Sequence, residues 1–172
     1  MFLQAARDRG YRTVNVVRRR DATEVVHETG GNVVLLDGEH LAQHVVEATE
    51  GAQIRLGIDA VSGWATGHLA ECLCEGATLV NYGRMSGEPC AVQPDAFVFR
   101  DLMLRGFWLA SWFQRAPEER RRAVVGEVAG LIAAGKLKAP IQATYDVSDI
   151  KDAVAAAASG GRSGKILIVP RR

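Results

Sequence analysis

Short β-branched runs alternate along this chain with stretches of helical spacing, and that alternation limits the fold more than any other feature. Residues 12–18 (RTVNVVR), 32–36 (NVVLL), 54–61 (IRLGIDAV) and 77–82 (ATLVNY) each have strand length and apolar content. A helix is predicted before them over residues 2–9. Between them, residues 39–49 place Leu41, Val45 and Ala48 on one helical face, and residues 67–75 do the same with Leu69, Ala70 and Leu73. Strands joined through helices in this way form a parallel sheet with helices on its faces. The predicted class is therefore α/β, a doubly wound parallel sheet.

The rhythm breaks at residues 84–94, rich in Gly, Pro and Ser, and resumes with a predicted strand over residues 102–109 (LMLRGFWL). Pro117 opens a helix at its first position, with Val124, Val128 and Leu131 as the inward stripe and Gly135 as its end. A strand over residues 141–145, a helix capped by Ser148 with Ile150, Val154 and Ala158 as its stripe, and a strand over residues 165–169 complete the pattern.

Composition narrows the function classes. The 172 residues are 48% hydrophobic, enough for one ordinary core. Twenty-one Lys and Arg against 20 Asp and Glu leave a net charge of +1, which removes the electrostatic footprint of a general nucleic-acid binder. No apolar run is long enough to span a bilayer, and charges arrive too early for a signal peptide, so a cytoplasmic protein with no membrane partner is expected. Cys72, Cys74 and Cys90 match neither a zinc knuckle nor a redox pair and read as structural thiols. His27, His40, His44 and His68 have no metal-ligand spacing with carboxylates or cysteines, and no metal is expected.

Open parallel sheets bind ligands at the carboxyl ends of their strands. Three loops there carry candidate chemistry. Arg18, Arg19 and Arg20 follow one strand, where arginine pairs with the 2′-phosphate of NADP, or where the run is simply a solvated turn. Asp21 reads as the cap of the next helix. Tyr82, Gly83, Arg84 and Met85 form a turn whose glycine admits close backbone approach, and Phe107, Trp108 and Leu109 supply aromatic wall or core. Asp59, inside a strand, is either a ligand or a hydrogen-bonded structural carboxylate.

The segments RTVNVVRRRD, VNYGRMSGEP, FVFRDLMLRGFWLASW and SGKILIVP together resemble the medium-chain dehydrogenase/reductase superfamily. Within it they are most similar to mitochondrial-type NADPH-dependent trans-2-enoyl-CoA reductases, with quinone oxidoreductase-like proteins as near relatives. The resemblance runs over essentially the whole chain and covers the C-terminal half of such an enzyme. It implies an incomplete Rossmann-like sheet lacking its first strand and glycine-rich turn. Residues 1–139 would be a partial NADP-binding domain, and residues 140–172 a segment that in the family packs back on the catalytic domain.

By resemblance, Arg18 and Arg20 would bind the 2′-phosphate of NADPH, Tyr82 to Met85 would line the nicotinamide side, Phe107 to Leu109 would sit beside the same ring, and Lys165 would contact the cofactor. Arg84 stands where the family has a second glycine, and either points outward or adds a phosphate contact. Members of this branch work without zinc, and their catalytic residues lie in the N-terminal domain, so none is assigned here. The implied function is the cofactor-binding half of an NADPH-dependent reductase of enoyl thioesters, inactive alone. A non-catalytic relative serving as a dimerisation or weak nucleotide-binding module, and a quinone reductase, are the alternatives. A homodimer through residues 102–109 is expected, because that strand forms the sheet edge in the superfamily and is too apolar to leave exposed.

Overall fold

The computed structural model describes residues 1–159 and 164–170, and every strand pair in it is parallel. Helix α1 (Phe2–Asp8) leads into β1 (Val14–Val17), α2 (Asp21–Glu28) and β2 (Val33–Leu36). Helix α3 (Leu41–Thr49) crosses to β3 (Leu56–Asp59), after which α4 (Trp64–Glu71), β4 (Thr78–Asn81), α5 (Asp95–Val98) and β5 (Met103–Gly106) follow. Helices α6 (Leu109–Arg115) and α7 (Glu118–Ala133) precede a small terminal unit of β6 (Ile141–Tyr145), α8 (Ile150–Ala158) and β7 (Lys165–Ile168). Ser163, the first residue of the closing SGKILIVP segment, lies outside the described residues.

The strands form three sheets instead of the single predicted one, ordered β1-β2, β3-β4-β5 and β6-β7. Among the described residues β1 and β3 do not pair with each other. Each sheet keeps the strand–helix–strand logic read from the sequence.

The core sits on one face of the three-stranded sheet. Leu73, Leu79, Leu102, Ala70, Ala77 and Ala96 are buried together, with Ile54, Leu69, Cys74 and Val92 packed against them. Gly57 of β3 is required there, because a Cβ would come within 2.7 Å of Leu79 Cδ1. The Arg100 guanidinium donates to Leu73 O at 3.0 Å and Ala70 O at 3.1 Å, closing the carboxyl end of α4. On the other face Leu56, Ile58 and Met103 are exposed.

Several local expectations are corrected. Residues 102–109 are not one strand: the ladder ends at Gly106, opposite Asn81, and Leu109 begins α6. The loop over residues 84–94 runs into the one-turn helix α5, and α4 begins three residues earlier than predicted, at Trp64. Pro117 precedes α7 as its N-cap in an extended conformation, ψ 147°. No residue of α7 is fully buried; of its predicted stripe Val124 and Leu131 are half-buried and Val128 is exposed. In α3, Leu41 and Val45 are buried as expected, whereas Ala48 is exposed. Ser148 does not cap α8; it donates from its N–H and Oγ to Asp146, which closes a 3-10 turn over Val147–Asp149. Helix α8 buries Ala153, with Ala156 and Ala157 half-buried, and leaves the predicted stripe of Ile150, Val154 and Ala158 exposed. Small side chains let a helix lie close to a two-stranded sheet that has too little area to cover a broad stripe.

Candidate functional site

The register of the three-stranded sheet puts Asp59, Asn81 and Gly106 on one terminal rung. The residues after them therefore leave the sheet along a single edge. Tyr82 N–H donates to Asp59 O at 2.9 Å, Met85 N–H to Ala60 O at 3.1 Å and Ser86 N–H to Val61 O at 2.8 Å, so the turn after β4 is zipped to the loop after β3. Gly83 makes this possible: a Cβ there would stand 2.7 Å from Ala60 O. Phe107 N–H donates to Asn81 O at 2.8 Å and holds the turn after β5 alongside. The structure thus brings Tyr82, Gly83, Arg84 and Met85 to the same edge as Phe107, Trp108 and Leu109.

A buried polar network lies under this edge. The Asp59 side chain is 1% exposed and its carboxylate accepts four sets of hydrogen bonds. Val61 N–H donates at 2.7 Å, Ser62 N–H at 3.3 Å, Thr66 Oγ1 at 2.7 Å and Asn81 Nδ2 at 3.0 Å. Burial pulls the Asp59 carboxyl up, and the bonds from Thr66, Val61, Asn81 and Ser62 outweigh it, leaving it below the usual carboxylate range. Of the two readings open from the sequence, Asp59 is the hydrogen-bonded structural carboxylate. Asn81 Nδ2 also donates to Ser62 Oγ at 3.1 Å, and Ser62 Oγ donates to Gly83 O at 2.9 Å. Ser62 has φ 68°, a left-handed conformation that a non-glycine residue adopts at a cost and that these bonds hold.

Exposure dominates the outer side chains. Tyr82 packs on Phe2 of α1, with ring centroids 5.6 Å apart. Met85, Phe107, Trp108 and Leu109 are exposed. Arg84 points outward and folds over its own turn, Nη2 donating to Gly87 O at 3.4 Å.

Arg18 and Arg20 follow β1, whose last residue Val17 pairs with Leu36. Both are exposed, and neither has a described side-chain hydrogen bond or ion pair. Arg19 is paired instead, its Nε lying 3.1 Å from Asp21 Oδ1. Asp21 is therefore not the cap of α2; that position belongs to Arg20, and Asp21 is the first helical residue. Asp37, which leaves β2 beside Arg18, is turned away from the arginines: its Oδ1 lies 2.8 Å from Nδ1 of His68 on α4. This contact ties the end of the two-stranded sheet to the helix covering the three-stranded one.

Lys165 opens β7, opposite Ile141, in the separate terminal sheet, and no described contact joins it to these loops. Ser62, Thr66, Asn81, Asp37 and His68 were missed from the sequence. Thr66 lies seven residues after Asp59 and Asn81 22 residues after it, and neither spacing marks a pair until the strands are in register.

The sequence model of a family described as "Zinc-binding dehydrogenase" matches residues 19–168. The mitochondrial enoyl-[acyl-carrier-protein] reductase of Schizosaccharomyces pombe is 35% identical over 126 residues, 68% of this chain and 34% of that protein. The structure of an Etr1p/NADP/crotonyl-CoA complex superposes with a TM-score of 0.81 at 19% identity, over 97% of this chain and 49% of that one. A mycobacterial quinone oxidoreductase gives 0.84 at 20% identity, over 98% and 52%. The chain thus spans between about a third and a half of these relatives. Despite the family's name, no three His, Cys, Asp or Glu side chains among the described residues converge to hold a metal ion. With a family match over residues 19–168 and parallel strands throughout, the chain belongs to the zinc-binding dehydrogenase family of the medium-chain dehydrogenase/reductase superfamily, matching the C-terminal part of its members.

Proposed function

We propose that this chain is the NADPH-binding part of an oxidoreductase that reduces enoyl thioesters, and that it works as a homodimer. The observation that carries the reading is the pair of exposed guanidinium groups of Arg18 and Arg20 at the carboxyl end of β1, neither with a side-chain partner among the described residues. A dinucleotide lies across such sheets with its adenosine half over the first strands and its other half over the later ones. Arginine forms bidentate, charge-assisted bonds to phosphate. Asp37, which follows β2, is engaged by His68, and Asp21 by Arg19.

The residues present fit that cofactor in two places. Arg18 and Arg20 would hold the 2′-phosphate, and the backbone after β3 and β4, with Phe107 and Trp108, would flank the other end. When bound, NADPH supplies a hydride to the alkene of the thioester, and a proton goes to the neighbouring carbon. The part proposed for this chain is to bind and orient the cofactor. The reductase of S. pombe and the crotonyl-CoA complex support the thioester as substrate.

Titration calorimetry tests the reading. NADPH is expected to bind at least tenfold tighter than NADH, and Arg18→Ala with Arg20→Ala is expected to abolish that preference; equal affinities in the unsubstituted chain would overturn it. NADPH oxidation with crotonyl-CoA, and with a quinone in parallel, completes the test. Turnover by this chain alone at roughly 1 per second or above, the low end of ordinary enzymes, would assign it catalytic residues the proposal does not give it.

A further inference from the structure

The loops after β3 and β4 meet the far end of a dinucleotide only if they keep one arrangement, and few contacts fix it. Their outer side chains are exposed, and the described backbone bonds of the two loops run mainly to each other, with Gly63 O also accepting from Thr66 N–H of α4. What ties both to the interior is Asp59, 1% exposed, with Thr66, 0% exposed, beneath it. From Asp59 a continuous chain of hydrogen bonds runs through Asn81 to Ser62 and from Ser62 to Gly83 O, the carbonyl in the middle of the turn. Every donor in this chain has an acceptor, and each carboxylate oxygen accepts at least two bonds.

We infer that Asp59 is a positioning residue for the nicotinamide end of the cofactor: through Asn81 and Ser62 it sets the backbone of residues 60–63 and 82–85 against which that end rests. This deepens the proposed NADPH site and rests on it. The carboxylate is needed because all its neighbours donate. Asparagine would set its own NH₂ against Val61 and Ser62 in one orientation of the amide, and against Thr66 and Asn81 in the other, so no orientation preserves the network. The adenosine end, at Arg18 and Arg20 on the other sheet, shares no bond with it.

The two ends are separable with adenosine 2′,5′-bisphosphate, which carries the ribose phosphate and lacks the nicotinamide. In the full chain, Asp59→Asn is expected to weaken NADPH tenfold or more, about 1.4 kcal/mol, while binding of the bisphosphate changes less than twofold. Ser62→Ala removes the bond to Gly83 O together with those that Ser62 Oγ accepts from Asn81 Nδ2 and Cys90 Sγ, and leaves the bonds of Asp59 to Thr66, Val61 and Asn81 in place. It serves where Asp59→Asn unfolds, and the same selective loss is expected, about threefold. Equal losses for both ligands, or no loss for either, in the folded variants would overturn the inference. An unsubstituted chain that binds neither ligand would remove the cofactor reading itself, and one that binds the bisphosphate with no gain from the nicotinamide half would remove this inference alone.

Discussion

Asp59 and Cys72 are both acids placed at the ends of secondary elements, and their surroundings act on them in opposite directions. Around Asp59 four donors outweigh burial, so the carboxylate stays charged. Around Cys72, burial and then the carboxylates of Glu71 and Asp37 disfavour the thiolate, against a weaker pull from Arg100, and the thiol is pushed up to about 12. The thiol itself donates to His68 O at 3.1 Å. A thiol raised this far stays protonated at pH 8.5, and only the thiolate is a nucleophile. Alkylation with iodoacetamide at pH 8.5, followed by mass spectrometry, is therefore expected to modify exposed Cys90 first and leave Cys72 intact in the folded chain. Comparable rates at the two sites would show that Cys72 is less enclosed than its contacts imply. The same shift makes the contribution of Cys72 to stability complete below about pH 9 and lost as the pH rises toward 12, because the unfolded thiol releases its proton first.

At the scale of elements, the sequence pattern succeeded where a run had both apolar content and a register partner. Strands β1 to β4 fall inside the runs read from their β-branched residues. The failures have separate causes. Residues 102–109 are apolar throughout, but a strand persists only as far as its neighbour offers backbone partners, and β4 ends at Asn81. Beyond that point Leu109 to Arg115 satisfy their backbone as a helix. The stripe of α8 was misassigned because apolar periodicity does not say which face meets the sheet. Leu79, fully buried between Leu73 and the core of α4 and α5, is the residue on which β4 depends. Leu79→Ala is expected to cost about 2–5 kcal/mol, read from urea denaturation. A loss below about 1 kcal/mol would mean that the core closes over the deleted atoms.

At the scale of the molecule, two features concern association. Among the described residues strand β5 pairs with β4 alone, which leaves its outer backbone edge without a described partner, and Met103, Leu104, Phe107 and Trp108 are exposed along or just beyond it. An apolar strand with unpaired N–H and C=O groups is a template for pairing. The proposed homodimer joins two copies through this edge about a two-fold axis, burying on the order of 2,000 Å² if it is obligate. Light scattering at micromolar concentration is expected to give the dimer mass, and Leu104→Lys to shift it toward monomer. A monodisperse monomer that Leu104→Lys leaves unchanged would remove the edge-pairing model. The second feature is the division of the strands between sheets. The described side-chain link between the β1-β2 sheet and the covering of the three-stranded sheet is the bond of Asp37 to His68, backed by packing of α3 on α4.

The sequence by itself determined the local order: which runs are strands, that the strands are parallel, and that the candidate chemistry lies in the loops after them. These are consequences of side-chain period and connection length, which neighbours in the chain set. It also placed Arg18 and Arg20 at a strand end, because a charge run directly after a β-branched run can be nowhere else. Only the tertiary structure decided which of three arginines is spent on an ion pair, that Asp37 faces His68, that Asp59, Ser62, Thr66 and Asn81 form one network, and that the strands divide into three sheets. Each of those depends on register, which brings residues 22 or 31 positions apart to hydrogen-bond distance. A one-residue shift in pairing turns every side chain to the opposite face, and the amino-acid order shows no local trace of contacts set in that way.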